Sequence, residues 1–130
     1  MTYLIDTDWL IDHIQGVPAA IELISSLAPD GIAISIITFL EIYEGIYTSA
    51  TPKESEQRVR IFLQTIPVLP LNRTVAKRTA LVRAELRRKG RSVRQRAFDI
   101  VIAATALSYD LTLVTRNVAD YRAIDGLKLY

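Results

Sequence analysis

The chain has 130 residues, half of them hydrophobic, with 16 Lys and Arg against 14 Asp and Glu and a formal net charge of +2. That length buries one core and leaves no room for a second domain, so residues 1–130 are expected to form a single domain. Cysteine is absent and His13 is the lone histidine, which removes disulfides, thiolate metal sites, cysteine nucleophiles and most histidine-based catalysis.

In chain order, Tyr3 to Ile5 reads as a short buried strand and Asp8 as a candidate N-cap for a helix through Ile14, on which His13 is read as a partly exposed residue. Acids at Asp6 and Asp8, with no basic start before an apolar run, give no sign of a signal peptide. Pro18 starts a helix with Ala20, Leu23, Ile24 and Leu27 on one face, and Pro29-Asp30-Gly31 makes a turn. Ile32 to Ile36 is β-branched and reads as a second strand. Thr38 opens a helix whose stripe of Phe39, Ile42, Tyr43 and Ile46 faces inward, which puts Glu41 on the side facing water or a cleft.

After the polar break at Thr48 to Pro52, Lys53 to Ile66 is amphipathic, and Val68-Leu69 has room only for a short strand between prolines. Asn72 caps a long helix with Val75, Thr79, Val82 and Leu86 inside, ended by Gly90. The loop Arg91 to Arg96 leads into Phe98 to Tyr109, apolar almost all round and so central to the packing. Its run Ile100 to Leu107 is too short to span a bilayer, and the chain is expected to be soluble and cytoplasmic. Thr112 to Thr115 and Leu127 to Leu129 are further strands. Strands alternating with helices, without a clear tight-hairpin signal, predict an α/β chain with a parallel sheet covered on both faces.

Asp6, Glu41 and Asp99 each sit where the chain leaves a strand or enters a helix, and Asn117 adds an oxygen donor after a strand. Open parallel sheets gather ligands outside the carboxyl ends of their strands, so these distant residues can meet there. Each also has an ordinary role. Thr38 to Glu41 matches a helix capping box, Asp99 suits a helix N-terminus, and Asn117 can cap the turn containing Asp120. Asp6 is the hardest to explain structurally, because a bare carboxylate after a buried strand is costly. Carboxylates sharing a pocket repel unless a cation compensates; magnesium does so with oxygen ligands and retained waters, and can support in-line phosphoryl displacement.

Charge is unevenly spread. Arg73 to Arg96 holds ten basic residues against one acid, a local +9, leaving −7 for the rest. That asymmetry points to a polyanion, with a solvated helix face as the ordinary alternative.

The segments LIDTDWLID around Asp6, TFLEIYEG around Glu41, FDIVIAATAL from Phe98 and LVTRNVADY from Leu113 resemble, in order and spacing, the four signature segments of PIN-domain ribonucleases, especially the VapC toxins of bacterial and archaeal toxin-antitoxin pairs. The resemblance covers nearly the whole chain. It implies a three-layer α/β/α PIN-like domain with a central parallel sheet, and an endoribonuclease site that uses Mg2+ or Mn2+. Asp6, Glu41 and Asp99 match the principal acids, with Asn117 at a fourth position often held by aspartate; an amide there brings an oxygen without charge, which puts a second tightly held metal in doubt. Thr7 and Thr115 can orient the acids, contact phosphate or simply satisfy nearby backbone groups; Asp120 can act through a water or serve as a local cap or surface acid; and Arg91, Arg94, Arg96 and Arg116 are the candidates to contact RNA phosphates. Trp9, Tyr43 and Tyr47 can stack on bases or pack internally. A homodimer and a small antitoxin whose tail occupies the cleft are further implications.

Alternatives are a housekeeping nuclease of the same fold, a non-catalytic RNA-binding scaffold, and a phosphatase built on Asp6-Thr7-Asp8. The last would want a lysine near the later acids, and none lies between Gly90 and Ala123.

Overall fold

A computed structural model describes residues 1–130. Five short strands, β1 (Tyr3–Ile5), β2 (Ile32–Ser35), β3 (Val68–Leu69), β4 (Thr112–Val114) and β5 (Lys128–Leu129), form one sheet in the order β3-β2-β1-β4-β5. Every pairing is parallel, with Leu4 beside Ala33 on one side and Leu113 on the other. The first three strands step outward in one direction, and the chain then crosses back to place β4 and β5 on the opposite side of β1. The crevice of such a sheet opens where that direction reverses, at the carboxyl ends of β1 and β4.

Side-chain alternation divides the core. Leu4, Ala33 and Leu113 face a layer built on α5 (Arg73–Arg88) and α6 (Ala97–Ser108), where Val82, Leu86, Ile100, Ile102 and Ala103 are buried. Ile5, Ile32, Ile34 and Val114 face the other layer, formed by α1 (Thr7–Ile14), α2 (Pro18–Leu27), α3 (Ile36–Tyr47) and α4 (Pro52–Leu63). A period of two along each strand produces this split.

The expected elements are present, with shifted boundaries. Helix α1 begins at Thr7 and is capped by Asp6, whose carboxylate accepts the Thr7 N–H at 2.8 Å; Asp8 lies in the first turn instead of at the cap. Helix α3 starts at Ile36, two residues before the predicted Thr38, because Ser35 Oγ accepts the Thr38 N–H at 3.1 Å. The predicted capping box therefore does not form. Helix α4 stops at Leu63, short of Ile66, and a short helix, α7 (Val118–Tyr121), follows β4 where only a turn was expected. Asn72 caps α5 as predicted, accepting the Val75 N–H at 3.0 Å.

The near-uniform apolar surface of α6 is explained by its position inside the molecule. Its buried Thr105 donates to the Val101 carbonyl at 2.7 Å, so a hydroxyl in the core leaves no unmet donor. Gly31, with φ +90°, accepts from the backbone N–H groups of Thr2 and Tyr3, and a Cβ there would stand 2.9 Å from the Met1 Cα. Only glycine meets both demands cheaply, and it starts β2 alongside β1.

Asn72→Ala removes one cap and is expected to lower the unfolding free energy by about 1 kcal/mol, read as a reduced urea midpoint at an unchanged denaturant slope.

Candidate functional site

At the carboxyl end of β1, Asp6 is 7% exposed and bridges the two strands at the crevice. Its backbone N–H donates to the Val114 carbonyl at 2.9 Å. One carboxylate oxygen caps α1. The other, Oδ2, accepts from Thr115 Oγ1 at 2.7 Å and from the phenolic hydroxyl of Tyr121 at 3.5 Å. Thr115, just beyond β4, also accepts the Asn117 N–H at 3.1 Å, which ties the loop after β4 to the same carboxylate.

Glu41 arrives from α3. The Thr7 hydroxyl donates to Glu41 Oε1 at 2.7 Å and lies 3.1 Å from the buried hydroxyl of Thr38. The glutamate thus reaches across to α1 instead of back to its own helix cap, and Thr7 links it to the turn that begins with Asp6. Asp99, in the first turn of α6, comes from the opposite layer of the molecule.

Burial raises the Asp6 carboxyl above its ordinary range; hydrogen bonds from Thr115 and Thr7 oppose this, and the charges of Asp99 and Asp8 add to it. Burial likewise raises Glu41, opposed by the Thr7 hydrogen bond and reinforced by Asp6, Asp99 and Asp8. The three predicted acids therefore share one electrostatic environment, which Asp8 also enters. Burial, followed by the charges of Asp6 and Asp99, pushes the Tyr121 phenol far upward, so its hydroxyl remains a donor.

No three histidine, cysteine or carboxylate side chains close into a ready coordination cage. The donor chemistry fits a hard divalent cation that keeps several waters and takes one or two carboxylates directly, because Asp6 and Glu41 are oxygen donors whose charge is otherwise poorly compensated. Thr7 and Thr115 hold those carboxylates, and both are buried.

Other candidates are placed less centrally. The Asn117 side chain is exposed and makes no cap bond to α7. Asp120 is exposed, and it is its carbonyl, not its carboxylate, that Arg96 engages. Arg91 and Arg94 are exposed on the approach to α6. Arg116 is already committed: it pairs with Asp12, and its guanidinium lies 4.0 Å from the centroid of Trp9. Trp9 is thus covered by a cation, while Phe39, Tyr43 and Tyr47 form an aromatic run along α3, with Tyr47 71% exposed at its end. His13 stacks on Phe62 of α4, and its burial lowers its pKa.

Sequence reasoning missed Tyr121 and the role of Asp8. Only the three-residue spacing of an exposed-looking turn, Val118 to Tyr121, offered a signal for the first. For Asp8, its place two residues after Asp6 fitted a helix cap equally well.

The PIN domain family model matches residues 3–127. A tRNA(fMet)-specific endonuclease VapC from Shigella flexneri is 31% identical over 128 residues, covering 98% of this chain and 96% of the relative. Among solved structures, DNA-bound VapBC from Salmonella typhimurium superposes with a TM-score of 0.89 at 31% identity, covering 100% of this chain and 97% of the other. VapBC2 from Rickettsia felis, bound to a DNA fragment from its promoter, gives 0.88 at 26% identity, with 100% and 98% covered.

Asp6 and Glu41 keep their protons to higher pH in the folded chain than in the unfolded one, so without divalent cations stability falls as pH rises from the ordinary carboxylate range through their raised values. Asp6→Asn keeps a good helix cap while removing the buried charge. In EDTA at neutral pH its thermal midpoint is expected to exceed that of the unaltered protein, with a flatter pH dependence by calorimetry.

Proposed function

Because the chain belongs to the PIN domain family, among its VapC-type members, we propose that it is a magnesium-dependent endoribonuclease and the toxin of a type II toxin-antitoxin pair, acting in the cytoplasm. The observation that carries this reading is the meeting of Asp6, Glu41 and Asp99 in one electrostatic environment at the sheet's crevice, with Thr7 and Thr115 holding the first two.

In this reading Asp6, Glu41 and Asp99 hold Mg2+, or Mn2+ in its place, directly or through water, and Asn117 completes the polar rim. When bound, the cation polarises the phosphoryl oxygen and makes nearby water more acidic. Glu41, steadied by Thr7, orients the attacking water and accepts its proton as oxygen adds to phosphorus; the ester oxygen departs and takes up a proton from solvent. Arg116 stands beside Asn117 to hold the scissile phosphate, exchanging its Asp12 partner for the substrate. Arg91, Arg94 and Arg96 hold phosphates on the approach. Transfer RNA is the first substrate to test, since a relative 31% identical carries that specificity in its name.

The antitoxin and a second copy of the chain are the proposed protein partners. Solved relatives include a toxin-antitoxin complex, which supports the first. A groove of about 140 Å³ between α1, α3 and α4, lined by Ile11, Ile14, Ile42, Ile46 and Val59 together with Arg58, offers a largely apolar seat for such a chain.

Asp99→Asn is expected to abolish magnesium-dependent cleavage of structured RNA while fold and bulk RNA affinity persist. A purified Asp99→Asn protein that still cuts at the original rate would falsify the assignment. Arg91→Ala and Arg94→Ala are expected to weaken RNA binding across sequences, each reducing the slope of log affinity against log salt by about 1.

A further inference from the structure

Tyr121 is 1% exposed, yet it ends a four-residue helix whose preceding residues Ala119 and Asp120 are exposed. Its ring lies in the core layer with Ile100, Ile102 and Ile124. The hydroxyl is the only polar atom this large side chain carries, and a buried phenol ordinarily needs a partner. Here that partner is Oδ2 of Asp6, at 3.5 Å, the oxygen that also takes the Thr115 hydroxyl. The charge of Asp99 bears on the same phenol. One hydroxyl therefore meets Asp6 directly and lies within the field of Asp99, which arrives on α6.

The position of Tyr121 is itself restrained. Arg96 donates to the Asp120 carbonyl, one residue before Tyr121, and its guanidinium carbon lies 5.9 Å from the Tyr121 ring centroid. Arg96 also immediately precedes α6, which carries Asp99 in its first turn. The turn before α6 and the short helix α7 are thus joined beside Tyr121. A phenylalanine would fill the same space and leave Asp6 Oδ2 with the Thr115 hydroxyl as its remaining donor.

We propose that Tyr121 is a positioning residue of the metal site, its hydroxyl acting with that of Thr115 to fix the orientation of the Asp6 carboxylate. This rests on the proposed cation site. Groups that orient metal ligands from behind typically alter affinity by 10–100-fold when removed, so the effect belongs in cation binding more than in stability.

The test is Tyr121→Phe in the full chain, with Mn2+ binding followed by electron paramagnetic resonance and RNA cleavage followed against Mg2+ concentration. The expected result is Mn2+ affinity reduced about tenfold or more, a matching rise in the Mg2+ concentration for half-maximal cleavage, and recovery of most of the rate at saturating Mg2+. Ile124→Val, which trims the same core layer without touching either acid, controls for simple loosening and is expected to leave Mn2+ affinity unchanged. Asp6→Asn shows whether the bound Mn2+ occupies this site. Unchanged or tighter Mn2+ binding by Tyr121→Phe, or an equal loss in Ile124→Val, overturns the role of the hydroxyl while leaving the nuclease reading intact. Failure of the unaltered protein to bind Mn2+, or binding indifferent to Asp6→Asn, overturns both.

Discussion

A carboxylate with little access to water has to find its stabilisation among its neighbours, and Asp6 meets that demand at the centre of the sheet. Its oxygens take a backbone N–H from α1 and a hydroxyl from the end of β4, so one side chain starts a helix and joins two strands. Those donors oppose the effect of burial without cancelling it. The residual imbalance is shared with Glu41 and with the charges of Asp99 and Asp8. A folded chain that tolerates such an arrangement has exchanged some stability for a concentrated negative potential in a sheltered crevice.

That potential repels the substrate proposed here, and the distribution of cations bears on how the two could approach. Lysines and arginines are gathered along α5 and the following loop, with Arg91 and Arg94 exposed where the chain turns toward Asp99. Exposed charges act over roughly a Debye length, about 8 Å at physiological salt. Arg116 differs in being held, by Asp12 on one side and the Trp9 ring on the other. A guanidinium stacked in this way has already lost much of its rotational freedom, so recruiting it to a phosphate costs less ordering than extending a free surface side chain.

The strands and the principal acids were legible because their signals are local and strong. Short β-branched or apolar runs end in residues that do not belong in a core, and Asp6 after Ile5 has no inexpensive resting place apart from a polar cleft. Helix starts were less legible. Thr38 and Glu41 satisfy a local capping pattern, but Ser35 supplies the cap three residues earlier and Thr7, 34 residues away, takes the glutamate. A tertiary partner overrode a local one. Tyr121 was hidden for the same reason, since only the completed sheet brings its hydroxyl to Asp6 from 115 residues away. Arg116 was recognised as a neighbour of Asn117, but its commitment to α1 depends on how that helix packs beside β4.

The division of the core has a consequence for how the molecule should fail. Asp6, Thr7 and Glu41 ride on the layer containing Leu10 and Ile42, whereas Asp99 and Tyr121 ride on the layer containing Ile100 and Ile102. A small slippage of one layer over the sheet would part the two groups while every helix stayed wound. Warming or mild urea should therefore silence the cleft at a point where circular dichroism still records an intact protein, and dormancy of that kind would reverse on cooling.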